Sequence, residues 1–381
     1  MHYLDHAAST PLVPEVRDAM LDVLSDNHGN PSSVHSFGRK AREAVEEARE
    51  RVAGAVGASP SEIFFTAGGT EADNIAIKGA ASKRRGSGSH VAVSAFEHHA
   101  VLDAASWLSK TGLEVTTIPV EADGIVSLGA VTEATRPSTI LVAVMAVNNE
   151  IGTIQPIREI VVAAKGASPD VLVHTDAVQA LGNIPVDVHR WGVDLAAFSA
   201  HKLGGPKGVG ALFVRSGVAV EALVHGGGQE RGVRSGTLNV AGIVGFGVAA
   251  QLAEKEIDSK AERLEGLRAH LLEGLRSEIP DIVVNGTMER RVAGNLNVAI
   301  PGTDGETLLL LLDQAGVACS SGAACASGAL DPSHVLLAIG TPREVARGSL
   351  RFSLGRDSSA EDVDAVVKAL PEAVKRARLV S

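Results

Sequence analysis

The sequence predicts an α/β protein with a mostly parallel sheet flanked by helices in a large domain, plus a smaller α+β domain. Three observations support this fold class. Short apolar runs of strand length alternate with amphipathic helical patterns over much of the chain. A long helical stretch then separates this region from one with a different pattern. The 381 residues are enough for more than one domain. We expect a large domain over residues 12–258 and a small domain formed by residues 1–11 and 259–381.

The first helices follow from the spacing of apolar residues. An i, i+3, i+4, i+7, i+8 pattern with a proline near its first turn is formed by Pro14, Val16, Ala19, Met20, Val23 and Leu24. A second helix is predicted over Arg39–Val56, with Glu and Arg interleaved on its outer face. Two further helical patterns, Ala100–Lys110 and Ile157–Lys165, lie between strand candidates.

The strand candidates of the large domain are short runs that resemble strands buried on both faces. In chain order they are Ile63–Thr66, His90–Ser94, Leu113–Ile118, Thr139–Ala146, Val171–Thr175, Asp194–Ser199 and Val209–Val214. Strands that alternate with helices are typical of crossover connections, so we expect these strands to pair in parallel.

The last part of the chain has a different order of elements. Residues Leu238–Ile279 form a long helical stretch, with or without a break. After it, strand candidates mix with helices instead of alternating with them regularly. The strands are Ile282–Asn285, Asn295–Ile300 and Ser349–Leu354, and the helices are Glu306–Gln314 and Ala360–Ala377. This mixture predicts the α+β domain.

Composition and charge exclude several classes of protein. Apolar residues make up 45% and charged residues 21%, which is ordinary globular usage. A net charge of −10 argues against a body that binds nucleic acid directly. Two cysteines cannot form a disulfide framework. The N-terminus lacks the pattern of a signal peptide, and no apolar run approaches the roughly 20 residues that span a bilayer. We expect a cytoplasmic protein with no membrane contact.

Three short patterns match the motif set of serine β-lactamases. They are Ser199-Ala200-His201-Lys202, Ser25-Asp26-Asn27 and Lys110-Thr111-Gly112. Their order differs from that family, in which S-x-x-K comes first, and Ser199 ends a strand candidate instead of opening a helix. We therefore do not expect a serine hydrolase. The glycine-rich run 204–210 precedes a strand and indicates a turn, and the adjacent pair His98-His99 lacks the spacing of metal ligands.

A candidate anion site follows the first strand of the large domain. The segment 65–71 runs from the strand into Gly68 and Gly69, then into Thr70, which can cap a helix that has Asp73 in its first turn. The free N–H groups at a helix N-terminus bind anions such as phosphate. An ordinary strand-to-helix turn has the same composition, so this pattern alone leaves both interpretations open.

Two further residues follow directly after strand candidates. Asp176 lies at the carboxyl end of one strand and Lys202 just beyond the end of another, where ligands bind in open α/β sheets. A single strand-end Asp is often a cap. A desolvated lysine amine can form a Schiff base. An amine, a carboxylate for a protonated ring nitrogen and a helix N-terminus for a phosphate are together what pyridoxal 5'-phosphate (PLP) requires.

The two cysteines have different surroundings. Cys319 ends an apolar run after a Leu-rich helix, so we expect a small buried side chain without a catalytic role. Cys325 lies in a stretch of Ser, Gly and Ala, about residues 320–330, which cannot anchor itself in a core. An exposed thiol on such a tether suits a nucleophile that must travel. A surface cysteine without a function has the same sequence context.

Taken together, the motifs resemble the cysteine desulfurases of the NifS/IscS type, within the class V, fold-type I enzymes that use PLP. The resemblance runs from residue 3 to residue 356. The matching stretches are 3–10, 29–33, 69–71, 97–98, 148–152, 174–179, 199–202, 225–231, 234–237, 324–328 and 350–356. The most specific match is Ala324-Cys325-Ala326-Ser327-Gly328 followed by Asp331-Pro332-Ser333-His334, which is similar to the long active-site loop of group I members.

The resemblance implies a PLP cofactor and a role for each matching residue. Lys202 carries the cofactor as a Schiff base, His98 stacks on its ring and moves protons, and Cys325 attacks the substrate sulfur. The other implied cofactor contacts are Gly69, Thr70, Asp176 (ring nitrogen), Gln179 (ring hydroxyl), Ser199, His201 and Thr237, the last reaching in from a second subunit. Asn149 and Arg351 hold the substrate carboxylate. No intrinsic metal is implied, although Cys325 can be a transient iron–sulfur ligand with a scaffold partner.

The implied reaction is the conversion of L-cysteine to L-alanine, with the sulfur kept as a persulfide on Cys325. A homodimer would pass this sulfur to an acceptor protein for iron–sulfur cluster assembly or for thiolation. The sequence stops at Ser381, before the longer tail that some members use to bind a scaffold, so we do not expect docking through such a tail. The main alternative is a selenocysteine lyase or another class V lyase or aminotransferase. Such an enzyme would not need Cys325, which distinguishes it from a cysteine desulfurase. A non-catalytic protein that docks sulfur carriers is a second alternative, and it predicts no bound cofactor.

Overall fold

The computed structural model describes residues 1–321 and 332–379, and its largest element is a seven-stranded sheet. The strands in chain order are β1 (His2–Tyr3), β2 (Ile63–Thr66), β3 (His90–Ser94), β4 (Glu114–Ile118), β5 (Thr139–Ala143), β6 (Leu172–Asp176), β7 (Leu195–Ser199), β8 (Gly210–Val214), β9 (Val283–Val284), β10 (Asn295–Ala299), β11 (Val317–Ala318) and β12 (Ser349–Ser353). Across the large sheet the order is β2-β8-β7-β6-β5-β3-β4.

The strand directions confirm a mostly parallel sheet. Strands β3 to β7 pair in parallel, whereas β8 is antiparallel to both of its neighbours, β2 and β7. The direction reverses at β8 because the short connection 200–209, which contains glycines, replaces a crossover helix. The prediction of a buried strand at 113–118 is wrong: β4 forms one edge of the sheet, and most of its residues are exposed.

The helices agree closely with the spacing of apolar residues. They are α1 (Pro14–Asp26), α2 (Ser36–Val56), α3 (Gly69–Asn74), α4 (Ala80–Lys83), α5 (His99–Lys110), α6 (Leu128–Ala134), α7 (Ile157–Ala167), α8 (Val188–Trp191), α9 (Val240–Glu278), α10 (Gly305–Gln314), α11 (His334–Ala338), α12 (Arg343–Ala346) and α13 (Ala360–Ala377). A π turn, Ile75–Gly79, joins α3 to α4. Helix α9 is unbroken over 39 residues, and the Asn239 side chain caps its N-terminus.

The core lies on both faces of the large sheet. In β8, Ala211 and Phe213 belong to one apolar cluster, and Leu212 and Val214 belong to another. This alternation places consecutive side chains on opposite faces of the strand. Helices α2, α7 and the first half of α9 contribute to the first cluster, and α3, α4 and α5 contribute to the second. The sheet is therefore covered on both sides, as a parallel sheet requires.

A third apolar cluster fills the C-terminal region. Strands β12, β10 and β9 form an antiparallel sheet, which packs with the second half of α9, α10 and α13. Leu4, from the N-terminal segment, is fully buried in the same cluster. Helix α9 links the two regions, since Phe246 packs in the first cluster and Leu271 in the third. The proposed division near residue 258 falls inside this helix, and it stays a prediction.

Over the described residues, none of the helices is both long and apolar enough to cross a lipid bilayer.

Candidate active site

A cavity of about 340 Å³ lies at the carboxyl ends of the parallel strands. Residues that follow β2, β3, β5, β6 and β7 line it, together with residues of the N-terminal segment and of β12. The lining residues are Ala7, Ala8, Gly69, Thr70, Asp73, His98, Met145, Asn149, Asp176, Val178, Gln179, Ser199, His201, Lys202 and Arg351. Ten of these were predicted from the sequence as site residues, namely all except Ala7, Ala8, Asp73, Met145 and Val178. The structure brings them together, and the roles assigned to them stay predictions.

Lys202 ends a short 3₁₀ turn that follows β7 directly. Its Nζ donates hydrogen bonds to the carbonyl oxygens of Ala7 at 2.7 Å and Ala8 at 2.8 Å. The Gln179 Nε2 also donates to the Ala7 carbonyl, at 2.9 Å. The N-terminal segment therefore supplies backbone acceptors to two predicted site residues. This role of the segment was not predicted from the sequence.

Asp176 is the last residue of β6 and is almost fully buried. One carboxylate oxygen, Oδ1, accepts a hydrogen bond from the Val178 N–H at 2.9 Å. Burial raises the pKa of Asp176, whereas His98, the Val178 N–H and Lys202 act in the opposite direction. A cation close to this carboxylate would therefore favour its ionised form.

A second buried carboxyl, Asp73, lines the same cavity. Its Oδ1 lies 3.0 Å from His174 Nε2, and both side chains are inaccessible to solvent. Burial lowers the pKa of His174 to about 3, so this imidazole is neutral. Burial also raises the pKa of Asp73, and the charges of Asp176 and Glu97 raise it further. From the sequence, Asp73 was predicted only as a residue in the first turn of a helix. Its pairing with His174 was not predicted, although the even positions of β6 share one face of the strand.

The first turn of α3 faces the cavity through Gly69. The N-cap is Gly68, and Thr70 is an exposed residue inside the first turn, so the predicted capping by Thr70 is wrong. A Cβ atom at Gly69 would lie 2.7 Å from Val178 Cγ2, which leaves room only for glycine. The first N–H groups of a helix have no partner within the helix and are therefore available to an anion.

Arg351 comes from β12 and is almost completely buried. Its Nη1 donates to the Asn149 carbonyl oxygen and its Nη2 to Asp5 Oδ1, both at 2.8 Å. Among the described residues, its buried Nε has no hydrogen-bond partner. The Arg351–Asp5 ion pair joins β12 to the N-terminal segment at the cavity. Arg351 and Asn149 were predicted site residues, whereas Asp5 was not.

Two histidines of the site are held by hydrogen-bonding contacts, one local and one with the N-terminal segment. His98 is the N-cap of α5, and its Nδ1 accepts from the Ala100 N–H at 3.1 Å. His201 Nδ1 lies 3.3 Å from Ser9 Oγ. Burial lowers the pKa of His201 to about 4, and the neighbouring lysines lower it too. His201 is therefore a neutral hydrogen-bonding group near neutral pH.

Two buried carboxyls lie behind the cavity, next to His98 and Asn149. Burial raises the pKa of Glu97 to about 8, against hydrogen bonds from Ser94 and the Met145 N–H. Burial also raises the pKa of Glu150 to about 7, against Ser333, Arg351 and His98. Both residues were quoted in matching motifs and were given no role. Charged residues inside otherwise buried turns are the sequence signal that could have identified them.

The structure places the two cysteines differently. Cys319 is partly buried against the C-terminal core, and burial together with the charge of Asp5 raises the pKa of its thiol to about 12. It is therefore protonated at neutral pH and a poor nucleophile. Cys325, the predicted nucleophile, lies outside the described residues.

Thr237 is exposed and does not line the cavity of its own chain. The segment that leads to it is fixed at its base by a buried ion pair between Arg49 and Glu230, 2.8 Å long. Glu230 Oε2 also accepts from the Phe65 N–H. Glu230 and Arg231 both have left-handed backbone angles, with φ of 47° and 53°. The ion pair holds this strained turn against the edge of the large sheet.

Comparisons with known proteins agree with this arrangement. The aminotransferase class-V family matches residues 2–366. A Clostridium botulinum protein described as cysteine desulfurase IscS is 49% identical over all of this chain and 96% of the relative. A solved structure described as a NifS-like protein superposes with a TM-score of 0.93 at 38% identity, over 99% of this chain and 100% of the other. A structure described as SspA in complex with cysteine has a TM-score of 0.82 at 37% identity, over 93% and 99%.

Proposed function

The chain belongs to the aminotransferase class-V family, among relatives that are cysteine desulfurases, and we propose that it is a cysteine desulfurase acting on L-cysteine. One observation of the structure carries the proposal. A single cavity combines the amine of Lys202, the buried carboxyl of Asp176 and the guanidinium of Arg351. An amine and a carboxylate suit a PLP cofactor, and a guanidinium suits the carboxylate of an amino acid.

The residues present fit PLP. Lys202 would hold the cofactor covalently, and Asp176 would hold the ring nitrogen. Gly69 and the first turn of α3 would hold the phosphate, because the first N–H groups of a helix have no partner within it, and the missing Cβ of Gly69 lets Val178 pack against this turn. Further contacts would come from Thr70, His98, Gln179, Ser199 and His201. When bound, PLP supplies an electron sink that stabilises negative charge on the substrate carbons.

Binding of the substrate carboxylate falls to Arg351 and Asn149. The Arg351 guanidinium is oriented by the Asn149 carbonyl and by Asp5, and its Nε is unpartnered among the described residues. A substrate carboxylate would take the place of Asp5 or use the open Nε. A planar fork of N–H donors binds a carboxylate at two points, which fixes the orientation of the amino acid.

Proton movement falls to Lys202 and His98, whose side chains line the same cavity. The Ala7 and Ala8 carbonyls hold the Lys202 ammonium beside the substrate position. Once neutral, its Nζ can remove and return a proton on the substrate. The Nδ1 of His98 accepts from the backbone of α5, so proton exchange with a ligand would fall to Nε2.

Sulfur transfer requires a second thiol, and we assign it to Cys325. Its thiolate would attack the sulfur of the substrate. A sulfur–sulfur bond forms as the carbon–sulfur bond breaks, and the electron pair stays on the carbon, which takes a proton and leaves as L-alanine. The burial and raised pKa of Cys319 support this assignment by elimination. The persulfide would then pass to an acceptor protein.

The direct test is the stoichiometry of the reaction. Purified protein loaded with PLP should convert L-cysteine to L-alanine and, with a thiol reductant present, release one sulfide for each alanine. Alanine without sulfide, or pyruvate as the main product, would show a different class V reaction. A protein that neither binds PLP nor turns over L-cysteine would overturn the proposal.

A further inference from the structure

The two described ends that flank residues 322–331 are both tied to the active-site cavity. On the first end, Ser320 exchanges two backbone hydrogen bonds with Arg351, at 3.2 Å and 2.6 Å. Arg351 is the residue whose guanidinium reaches the cavity. The chain therefore leaves the described structure directly beside the proposed carboxylate-binding group.

The second end is held by two consecutive side chains. Ser333 Oγ donates a hydrogen bond to the Glu150 carboxylate. His334 Nε2 lies 2.9 Å from the carbonyl oxygen of Glu97. In both cases the partner immediately adjoins a residue that lines the cavity, because Glu150 follows Asn149 and Glu97 precedes His98.

Glu150 is itself fixed to the body of the protein. Its N–H donates to Asn148 Oδ1 at 2.9 Å, and its carbonyl accepts from the side-chain amides of Asn295 and Asn297, both at 3.1 Å. The carboxyl group is buried and points to Ser333. The Ser333 hydroxyl is fully used, since it also accepts from the Val335 and Leu336 N–H groups at the start of α11.

We propose that Glu150 and Ser333 form a positioning pair, which holds the start of α11 against the substrate-carboxylate site so that sulfur transfer to Cys325 proceeds at full rate. This inference rests on the proposed function. Cys325 precedes Ser333 by eight residues, so the place where Ser333 is anchored limits how far from the cavity the thiol can lie. The effective concentration of a tethered group depends on where its tether is fixed.

The pair acts after substrate binding, and this separates it from the binding residues. Neither Glu150 nor Ser333 lines the cavity. Loss of their hydrogen bond should leave the binding of PLP and of L-cysteine nearly unchanged. It should slow the appearance of sulfur on Cys325 by on the order of tenfold, the effect of one buried hydrogen bond. A residue needed only for folding would lower all these quantities together.

The experiment compares Ser333→Ala with Ser333→Thr, which keeps the hydroxyl, and with Ser359→Ala. Ser359 is a matched control because it caps α13 as Ser333 caps α11, and it does not line the cavity. Glu150→Gln is the partner variant that leaves the cap intact. Each protein is mixed with saturating L-cysteine for one turnover, and mass spectrometry follows the extra sulfur on the Cys325 peptide. Cofactor absorbance gives the PLP content and the apparent affinity for L-cysteine.

The expected result is a slow transfer step in Ser333→Ala and a smaller decrease in Glu150→Gln, whose side-chain oxygen still accepts. Ser333→Thr and Ser359→Ala should transfer sulfur at the wild-type rate. Wild-type transfer in both Ser333→Ala and Glu150→Gln would overturn the positioning pair alone. An equal loss in Ser359→Ala would also overturn it, because capping would then explain the effect. Wild-type protein that gains no sulfur on Cys325 would overturn the proposed function, and this pair with it.

Discussion

At the scale of the residue, the environment of each group decides its chemistry. Lys202 and Lys207 lie in the same turn region, yet only Lys202 reaches the cavity and the Ala7 and Ala8 carbonyls. Lys207 is exposed. Similarly, Cys319 is partly buried and has a raised thiol pKa, so it is protonated at neutral pH. The environments of Lys202, of Arg351 and of the two cysteines lead to three predictions.

Lys202→Ala should abolish both the visible absorbance of bound PLP and all turnover, because no other amine lines the cavity among the described residues. Lys207→Ala is the control and should keep both. Borohydride reduction of the loaded wild type followed by peptide mapping identifies the labelled lysine. A label on Lys207 would show that the cofactor assignment is wrong.

Arg351→Ala should weaken the use of L-cysteine far more than the PLP content. A buried carboxylate that loses a two-point partner costs on the order of 2–5 kcal/mol, which would appear in kcat/KM. Steady-state kinetics together with cofactor absorbance separates the two effects. An unchanged kcat/KM would remove Arg351 from the substrate site.

Cys325→Ser should still bind PLP and L-cysteine but release no sulfide, because a hydroxyl cannot accept sulfur as a persulfide. Cys319→Ala should retain turnover and lose about 1 kcal/mol of stability, as expected for a small, partly buried group. Mass spectrometry after treatment with L-cysteine should find the extra sulfur on the Cys325 peptide. Extra sulfur on Cys319 would reverse the assignment of the two thiols.

At the scale of the element, the first turn of α3 is built for close approach. A Cβ at Gly69 would meet Val178 Cγ2 at 2.7 Å, whereas a Cβ at Gly54, an exposed glycine of α2, would meet nothing within 4 Å. Gly69→Ala should therefore push apart the proposed phosphate site and lower PLP affinity by at least about tenfold. Gly54→Ala should keep PLP affinity and raise the free energy of unfolding by up to ~1 kcal/mol. Equilibrium dialysis and urea unfolding measure the two effects, and equal PLP affinity in both variants would contradict the site.

At the scale of the whole molecule, two regions and, we propose, two subunits complete one site. The ion pair between Asp5 and Arg351 joins the N-terminal segment to β12, and Thr237, which is exposed and does not line the cavity of its own chain, is the residue we propose for the second copy. Lys202→Ala and Thr237→Asp should each be inactive alone. Subunits of the two variants, mixed by unfolding and refolding, should recover part of the activity, because one site of the mixed dimer has both native residues. Analytical ultracentrifugation should show a dimer. No recovery by such dimers would indicate that Thr237 does not act on the neighbouring subunit.

The sequence by itself determined the longer helices, the strands of the large sheet and the residues that follow those strands. Helix α13 was predicted over its full range, Ala360–Ala377, because its apolar spacing is a local signal. Lys202 and Asp176 were found because each follows a strand, and parallel strands bring their carboxyl ends together at one edge of the sheet.

Only the tertiary structure decided the contacts between distant residues and the charges they set. Asp73 and His174 are 101 positions apart, Glu150 and Ser333 are 183 apart, and Asp5 and Arg351 are 346 apart. No local pattern encodes such pairs, because side chains meet there only after the sheet and the helices have packed. Burial then shifts the pKa values of Asp73, Glu97 and Glu150 upward, and burial is a property of the packed chain. The reversed direction of β8 and the exposure of β4 were likewise decided by strand order, which the periodicity of single strands does not contain.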